Sequence, residues 1–389
     1  MDFARLAKQV EKELIATRRD LHAHPEYAFK EFRTALVIER RLKSLGIKTR
    51  RMAGTGVVGD LDVAGARKRV ALRADIDALP ITEKTGLPFA SQTPGMMHAC
   101  GHDANTAILL AAARIIAENR RGLKGGVRFM FQPSEEFPPG GARAMVREGV
   151  MRGVDEIYGL HLWSEAPSGK VIAEPGPRMA NVDDVRVKIL GKGAHGASPH
   201  FSVDPVLTAA EAIVALQQIV SRNIAPTEPA VISICMINAG TAYNVIPPEC
   251  DFRGTVRTFS KALRRRMPRM IARVVTGIAK AHGAAAKVEY LAGYDALVND
   301  GRATACVRAA AEQLFGGKAL AHLGLKMGAE DFSEYMKLAR GCYFGIGIGN
   351  AKKGTDAPHH NPNFKVDESV LWMGAAMMAK IAWERSAAG

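Results

Sequence analysis

Residues 127–136 read Val-Arg-Phe-Met-Phe-Gln-Pro-Ser-Glu-Glu. The apolar run over 127–131 is typical of a buried strand, and Pro133 ends it because proline cannot donate a hydrogen bond to a neighbouring strand. Two adjacent carboxylates, Glu135 and Glu136, follow. In open α/β sheets, ligands bind beyond the carboxyl ends of the strands. This stretch therefore predicts one strand of such a sheet and one part of a site at its edge.

Apolar runs followed by polar side chains recur along the chain. The run over 70–74 precedes Asp75-Ile-Asp77, and the run over 156–160 precedes His161. Strand-like and helical patterns alternate here, which favours a largely parallel sheet with helices on its faces. Because the carboxyl ends of parallel strands share one edge, we expect their side chains to converge. The residues expected there are Asp75, Asp77, His98, Cys100, His102, Glu135, Glu136, His161, His359 and His360.

The middle of the chain has a different pattern. Polar and apolar residues alternate over 182–190, as in a half-exposed strand, and Asp204-Pro205 is a good start for a long helix. The predicted order of strand, helix, strand, strand, helix and strand is typical of an α+β sandwich. We therefore predict a discontinuous α/β catalytic domain formed by 1–183 and 297–389. An α+β sandwich domain at 184–296 is inserted into it.

The net charge of +14 raises the question of a nucleic-acid partner. Lysine and arginine are spread along the chain in short runs such as Arg50-Arg51 and 264–266, and we assign the run at 264–266 to the solvated face of a helix. The sequence has no zinc-finger, RNP or basic-zipper pattern. We therefore predict that nucleic acid is not a partner. A positive field can also help to collect an anionic substrate.

The sequence also bears on location. No apolar run reaches the ~18 residues of a membrane span, so we expect no membrane partner. The N-terminus lacks the pattern of a signal peptide. The five cysteines are odd in number and scattered, which argues against a disulfide framework. From these features we expect a cytoplasmic protein.

The residue types at the predicted edge fit divalent metal ions. Zn²⁺ accepts thiolate, imidazole and carboxylate ligands together. Two ions about 3.5–4 Å apart can polarise a carbonyl group and activate a water between them. Glu135 and Glu136 can then divide the work, one as a ligand and the other as a general base. Each motif alone is weak, because single histidines and paired glutamates are commonly structural or solvated. The prediction depends on all of them meeting.

The motifs also carry a family resemblance over nearly the whole chain. They are Arg19–Pro25, Leu72–Pro80, Met97–Asp103, Phe131–Glu136, Gly159–His161, Gly193–Gly196, Asn244–Pro247 and His360–Pro362. In this order they resemble the di-metal aminoacylase/carboxypeptidase family. Within it, they are most similar to the branch of hippurate hydrolases and plant auxin-conjugate amidohydrolases.

The resemblance implies a role for particular residues. The implied metal ligands are Cys100, His102, Glu136, His161 and His360. Glu135 would be the general base for two divalent ions per chain, commonly Zn²⁺ or Mn²⁺, with Co²⁺ or Ni²⁺ as further options. The inserted domain would be a lid that also forms a homodimer or higher oligomer. His195 and Asn244 would reach the partner's active site and hold the scissile carbonyl oxygen, and Arg257 would bind the substrate carboxylate.

One position departs from the family pattern. Many relatives have histidine where this chain has Asn105, which is not an implied ligand, so the change falls on the surroundings of the metals. Asp75, Asp103 and His98 either orient ligands or have structural roles. We expect that His200 and His359 are not ligands.

The predicted function is metal-dependent hydrolysis of N-acyl amino acids of the hippurate or N-acetyl type, which releases a carboxylate and a free amino acid. Alternatives on the same site are a biosynthetic deacetylase of the N-acetyl-diaminopimelate or N-acetylornithine type, or a dipeptidase. A non-catalytic binding protein is an alternative of another class. Loss of Glu135 or of a ligand would indicate it, and none is lost.

Overall fold

The structure, a computed structural model, describes residues 1–387 of the chain. The helices in this range are α1 (Phe3–Ala23), α2 (Phe32–Ser44), α3 (His102–Glu118), α4 (Gly141–Arg147), α5 (Pro205–Gln218), α6 (Lys261–Ala281), α7 (Gly301–Phe315), α8 (Ser333–Met336) and α9 (Leu371–Ala387). None of them is long and apolar enough to cross a bilayer.

Strands and short 3-10 or π-helical segments make up the rest of the described secondary structure. The strands are β1 (Lys48–Met52), β2 (Gly56–Leu61), β3 (Arg69–Asp75), β4 (Gly126–Gln132), β5 (Glu156–Pro167), β6 (Val171–Ile172), β7 (Gly176–Met179), β8 (Asp183–Leu190), β9 (Ala194–His195), β10 (Ala230–Ala239), β11 (Val245–Ile246), β12 (Glu249–Thr258), β13 (Ala285–Ala292), β14 (Leu297–Asn299), β15 (Leu320–Ala321) and β16 (Arg340–Gly349).

The chain forms two compact units. The larger unit comprises Met1–Arg178, Val298–Gly324 and the chain from Asp331 onward, and the smaller comprises Met179–Leu297 and Leu325–Glu330. The sequence prediction placed the insertion at 184–296 and did not anticipate that 325–330 would join it.

The larger unit is built on an eight-stranded sheet in the order β1-β2-β4-β3-β5-β16-β6-β15. Its central strands β4, β3, β5 and β16 are parallel, and β1 and β2 add antiparallel pairs at one side. Every residue of β4 is buried, as expected for a strand covered on both faces. Helices α1, α3 and α9 pack against one another over the sheet. The predicted α/β class with a mainly parallel sheet is confirmed.

The parallel strands bring their carboxyl ends to one edge. Asp75 is the last residue of β3, and Glu135 and Glu136 follow the end of β4. The sequence placed His161 after a strand that ended at residue 160. In the structure β5 continues to Pro167, so His161 lies inside the strand, opposite Gly345 of β16.

The smaller unit contains a four-stranded antiparallel sheet in the order β10-β12-β8-β13. Helices α5 and α6 contribute to a separate apolar core with this sheet. The predicted start of α5 is confirmed, because the Asp204 carboxylate accepts from the amides of Val206 and Leu207. The hydroxyl of Ser260 likewise caps α6. The element order matches the predicted α+β pattern.

One assignment in this unit is corrected. Arg264 is not on a solvated face, since its guanidinium is half-buried and donates to the buried carboxylate of Asp183. Tyr290 and the amide of Gly293 donate to the same carboxylate. Arg264 therefore joins α6 to the beginning of β8 and the end of β13. Its neighbours Arg265 and Arg266 are exposed.

Candidate metal centre

Six side chains with metal-binding atoms meet in the larger unit. Ligand atoms of each of the following groups lie within 4.8 Å of one another: Cys100, His102 and His161; Cys100, Glu136 and His360; and His102, Glu135 and Glu136. The five residues implied as ligands and the implied base thus occupy one place. The first two groups share the thiol of Cys100. Two overlapping groups with a common member are compatible with two adjacent cations.

The backbone fixes the two buried histidines of the centre. Nδ1–H of His102 donates to the carbonyl of Asp77 at 3.0 Å, and Nδ1–H of His161 donates to the carbonyl of Leu162 at 2.7 Å. Because a carbonyl oxygen only accepts, the proton is on Nδ1 in both rings. Nε2 of His102 has no hydrogen-bond partner within residues 1–387, although the side chain is buried. A histidine held in this way presents Nε2 to a metal, so the donor set fits.

The charges of the centre also favour cations. Burial alone would lower the pKa of His102, but the carboxylates of Asp75, Asp77 and Glu136 raise it to about 10. This position therefore attracts a positive charge, which a proton or a metal ion can supply. Burial alone would raise the pKa of Glu136, yet hydrogen bonding with His360 and the charge of His102 lower it.

For the thiol of Cys100, the surroundings disfavour the charged form. Burial and the charges of Glu136 and Glu135 raise its pKa well above the usual value. The thiol therefore keeps its proton when no cation is present. A coordinating divalent ion inverts this preference, because a metal-bound thiol is deprotonated. If Cys100 coordinates such an ion, binding of the ion would release a proton.

Two turns that carry members of these groups adopt a backbone conformation that is rare for residues other than glycine. The φ angle is +48° at Ser134, just before the two glutamates, and +64° at His360. Such residues persist where the surroundings hold them, and they cluster at functional sites. The amide of His360 donates to the carbonyl of Ala99 at 2.9 Å, which joins this turn to the segment that carries Cys100.

Asp75 lies behind His102 in a buried set of hydrogen bonds. It accepts from Arg73 at 2.7 Å and from the amide nitrogen of Asn105 at 2.9 Å. Burial would raise its pKa, but His102 and Arg73 lower it to about 2. Its carboxylate oxygen is 3.8 Å from Nε2 of His102. Asn105 therefore supports an ionised carboxylate beside the centre through a group that cannot titrate.

Asp103 is held by two side chains of α1. Arg18 donates to it at 2.7 Å and Nδ1–H of His22 at 2.8 Å, which fixes the first turn of α3. His98 and His359 belong to none of the three groups. His359 donates to the carbonyl of Leu162 instead, and both ring nitrogens of His98 lack a partner within the described chain. His200 is exposed in the smaller unit.

The three residues implied for substrate binding lie in the smaller unit. Strands β9 and β11 pair His195 with Val245, next to Asn244, and both named site residues are exposed. The amide of Ala197 donates to Nδ1 of His195 at 3.0 Å, so the neutral ring carries its proton on Nε2. Arg257 on β12 is half-buried, and its side chain has no hydrogen bond or ion pair within residues 1–387.

Residues 71–384 match the sequence pattern described as peptidase family M20/M25/M40. The chain belongs to this family. It is 46% identical to an N-acyl-L-amino acid amidohydrolase of Geobacillus stearothermophilus over 77% of this chain and 81% of the relative. It is 40% identical to an N-acetylcysteine deacetylase of Bacillus subtilis over 95% and 96% of the two chains. The resemblance inferred from the motifs is confirmed.

A solved structure of the M20 family extends this comparison. The YXEP protein of Bacillus subtilis, described as a dinuclear metal-binding peptidase, has a TM-score of 0.85 and 37% identity over 97% of this chain and 98% of its own. The expectation of a hydrolase that acts on amides is confirmed by the family. The roles of individual residues and the identity of the metals stay predictions.

Sequence reasoning missed several groups that shape this M20 site. Asp77 was noted after β3, but its part in holding His102 and the amide of Glu136 was not foreseen. The carbonyl of Leu162 has no signal in the side-chain pattern. Glu31, which contacts the turn before the two glutamates, lies about a hundred residues away in sequence and gave no signal either.

Proposed function

We propose that this M20 hydrolase cleaves the amide bond of N-acyl amino acids and releases a carboxylate and a free amino acid. The observation that carries the proposal is the pair of ligand groups that share Cys100 and lie beside Glu135. A di-metal centre with an adjacent carboxylate suits the attack of water on an amide carbonyl. The amidohydrolase and the deacetylase named above support the choice of substrate.

Two divalent ions would be held by the side chains that form the overlapping groups. These are Cys100, His102, Glu136, His161 and His360. When bound, the ions would polarise the substrate carbonyl and activate a water molecule. We propose Zn²⁺ or Mn²⁺, with Co²⁺ or Ni²⁺ as further ions that such a donor set accepts. The mixture of one thiol, three imidazoles and a carboxylate supports Zn²⁺ in particular.

Glu135 would act as the general base and then as the general acid. Its carboxylate lies within 4.8 Å of ligand atoms of His102 and Glu136, and it is half-buried. It would take a proton from the attacking water and deliver that proton to the departing amine nitrogen. Proton transfer by a positioned group contributes roughly 10²–10⁴-fold to a rate. Glu136, the next residue, would instead hold metal.

Arg257 would bind the free carboxylate of the amino-acid half of the substrate. A half-buried guanidinium without an ion-pair partner has lost part of its hydration and gains from an added anion. Burial lowers the pKa of Arg257, while Asp184 and Asp183 oppose this shift. An arginine forks onto a carboxylate through two parallel hydrogen bonds, which also orients the substrate.

The enzyme would be a homodimer or a higher oligomer formed through the smaller unit. Strand β10 is at the edge of its sheet and exposes Met236 and Ile237, which are 53% and 51% accessible. Helix α5 exposes Val214 at 73%. An exposed apolar edge strand invites pairing with another chain. In such a dimer, His195 and Asn244 of one chain would hold the scissile carbonyl oxygen in the partner's site.

The free cysteines support a cytoplasmic location for this enzyme. All five thiols are unpaired. Reducing compartments keep thiols in this state, whereas disulfides persist in oxidising ones. We include this location in the proposal.

A substrate panel with measured metal content tests the proposal. N-acetyl, N-benzoyl, indole-acetyl and long-chain acyl amino acids would be compared with dipeptides, N-acetylornithine and N-acetyl-diaminopimelate. The proposal expects the highest kcat/KM on an N-acyl amino acid with a free carboxylate, and a strong rise in KM when that carboxylate is amidated. Preference for dipeptides or for a biosynthetic N-acetyl intermediate would replace it. Equal rates on the acid and on its amide would remove the role of Arg257.

A further inference from the structure

Glu31 is a buried carboxylate that contacts the turn of the two glutamates. One carboxylate oxygen accepts from the backbone amide of Ser134 at 2.9 Å, and the other accepts from the hydroxyl of Thr55. The side chain is completely buried. Glu31 thus joins the start of α2 and the β1–β2 turn to the turn that follows β4.

Glu31 is available for this contact because another residue caps its helix. It occupies the N-cap position of α2, yet its side chain makes no capping bond. The carboxylate of Glu26 accepts instead from the amides of Arg33 and Thr34, at 2.9 and 2.8 Å. A glutamate at the beginning of a helix would ordinarily satisfy these amides or face water. Here the carboxylate of Glu31 faces Ser134.

The turn at Ser134 needs such support. Its φ of +48° lies in the left-handed region, which a residue with a Cβ avoids. The carbonyl of Ser134 accepts from Gly141 at 2.9 Å, and its hydroxyl donates to the carbonyl of Phe137 at 3.2 Å. The backbone amide of Ser134 is held by the hydrogen bond that it donates to Glu31. If Ser134 left this conformation, the directions of the residues after it would change.

We propose that Glu31 is a positioning residue of the hydrolase: by holding the amide of Ser134 it sets where the carboxylates of Glu135 and Glu136 lie. The inference rests on the proposed roles of these two glutamates. Glu31 itself belongs to none of the ligand groups, so its effect passes through the backbone of the turn.

The cost of placing a carboxylate here supports a specific role. Burial raises the pKa of Glu31 to about 7, and the charge of Asp77 adds to this effect, while the hydrogen bonds from Thr55 and Ser134 oppose it. A buried carboxyl group is expensive, and an apolar side chain would fill the same space at lower cost. An apolar side chain could not hold the amide of Ser134.

The first test compares variants of similar size. Glu31→Met removes the acceptor, and Glu31→Gln keeps an oxygen for the amide of Ser134. Glu31→Met should lower kcat about 10- to 100-fold with little change in KM, as expected for a displaced catalytic group. It should also raise the Kd for Zn²⁺, measured by calorimetric titration of the metal-free protein, because Glu136 moves with the turn. Glu31→Gln should keep most of both properties.

Thr55→Val is the matched control for a general disturbance of the region. It removes the other partner of Glu31 and leaves the bond to Ser134 in place. It should therefore keep kcat and the Zn²⁺ affinity near those of the wild type. A loss as large as that of Glu31→Met would contradict the inference, because the carboxylate would then matter through Thr55.

A rescue separates positioning from a merely structural role. Glycine adopts positive φ without penalty, whereas alanine keeps the Cβ that disfavours it. In the Glu31→Met background, Ser134→Gly should restore kcat and Zn²⁺ affinity several-fold, and Ser134→Ala should not. Both changes remove the same hydroxyl, so the comparison isolates the backbone conformation.

Three results would overturn the inference. They are wild-type kcat and Zn²⁺ affinity in Glu31→Met, equal losses in Glu31→Met and Glu31→Gln, and no difference between the two double variants. If Glu31→Met does not fold, Glu31→Leu takes its place, both in the comparison with Glu31→Gln and as the background for Ser134→Gly and Ser134→Ala. Inactivity of the wild type on every N-acyl amino acid would refute the proposed function instead, and the Zn²⁺ affinities would still test Glu31.

Discussion

The thiol of Cys100 lies 3.4 Å from Nε2 of His161, a side chain that reaches it from a strand of the sheet. Cys100 precedes α3, and His161 lies inside β5. The same thiol also belongs to the group with Glu136 and His360. One soft, polarisable atom is thus positioned between two sets of harder donors. This relationship makes the cysteine the most informative position at which to test the metal centre.

We expect that Cys100→Ser weakens binding of both ions, because a neutral hydroxyl replaces a thiolate that the two ligand groups share. Zn²⁺ content after dialysis should fall, and activity should need added metal. Chelation should inactivate the wild type, with recovery on addition of Zn²⁺, Mn²⁺ or Co²⁺. Cys235→Ser, at an exposed cysteine outside the groups, is the control. Full activity of the metal-stripped wild type would exclude the metal-dependent mechanism.

The two adjacent glutamates should behave differently. Glu135→Gln should lower kcat by roughly 10²–10⁴-fold while the ions stay bound, because the group that moves the proton is lost. Glu136→Gln should lose metal as well as activity, since its carboxylate lies 3.0 Å from Nε2 of His360. Metal analysis and kcat on the same samples distinguish the two effects. Near-normal turnover in Glu135→Gln would show that the base is another residue.

A pair remote from the site should make stability depend on pH. Burial would raise the pKa of Glu156, but hydrogen bonds from Arg385 and Tyr158 lower it to about 2. Because the folded value is below the unfolded one of about 4.3, this pair stabilises the protein above that pH, and the contribution is lost as the pH falls towards the folded value. Glu156→Gln should cost about 1–2 kcal/mol at pH 7.

Urea unfolding of Glu156→Gln and wild type at pH 7, 5, 4 and 3 checks the direction of this pH dependence. The difference in unfolding free energy should be constant down to pH 5 and shrink below it. Glu249→Gln, which removes an exposed partner of Lys188, should cost little at any of these values. A difference that grew as the pH fell would contradict the assignment.

Mixed dimers test whether each active site is built from two chains. Inactive Glu135→Gln and inactive His195→Ala would be dissociated and reassembled together. In a mixed dimer, the site on the His195→Ala chain keeps its own Glu135 and receives an intact His195 from its partner. Half of the randomly formed dimers are mixed and each has one complete site, so about a quarter of wild-type activity should return.

Subunit exchange must be shown independently in that experiment, for instance with chains of different tag length. Exchange without any recovery of activity would mean that both residues act within one chain. Recovery would instead support a two-fold dimer in which the donors from His195 and Asn244 stabilise the developing negative charge of the partner's substrate. A donor of this kind is worth roughly 10²–10³-fold in kcat.

Local chemistry made much of the larger unit predictable. The run over 127–131 is apolar at nearly every position, and Pro133 ends it, so β4 and its two glutamates could be placed from the sequence. In the smaller unit the cap at Asp204 was equally predictable, because capping uses a side chain adjacent to the helix that it begins. The length of β5 was underestimated, because the prediction ended the strand at residue 160, whereas the strand continues to the next breaker, Pro167.

The sequence by itself determined the sheet class, the family and the set of candidate metal-binding side chains, because these depend on residue types in a fixed order along the chain. Only the tertiary structure decided which backbone carbonyls hold His102 and His161, that Arg264 is buried against Asp183, and that Glu31 supports the turn at Ser134. Apart from the carbonyl of Leu162, which is adjacent to His161 in the chain, each of these is a contact between residues distant in sequence. A hydrogen bond depends on where two groups meet in space, and a pattern along one segment carries no information about its partner.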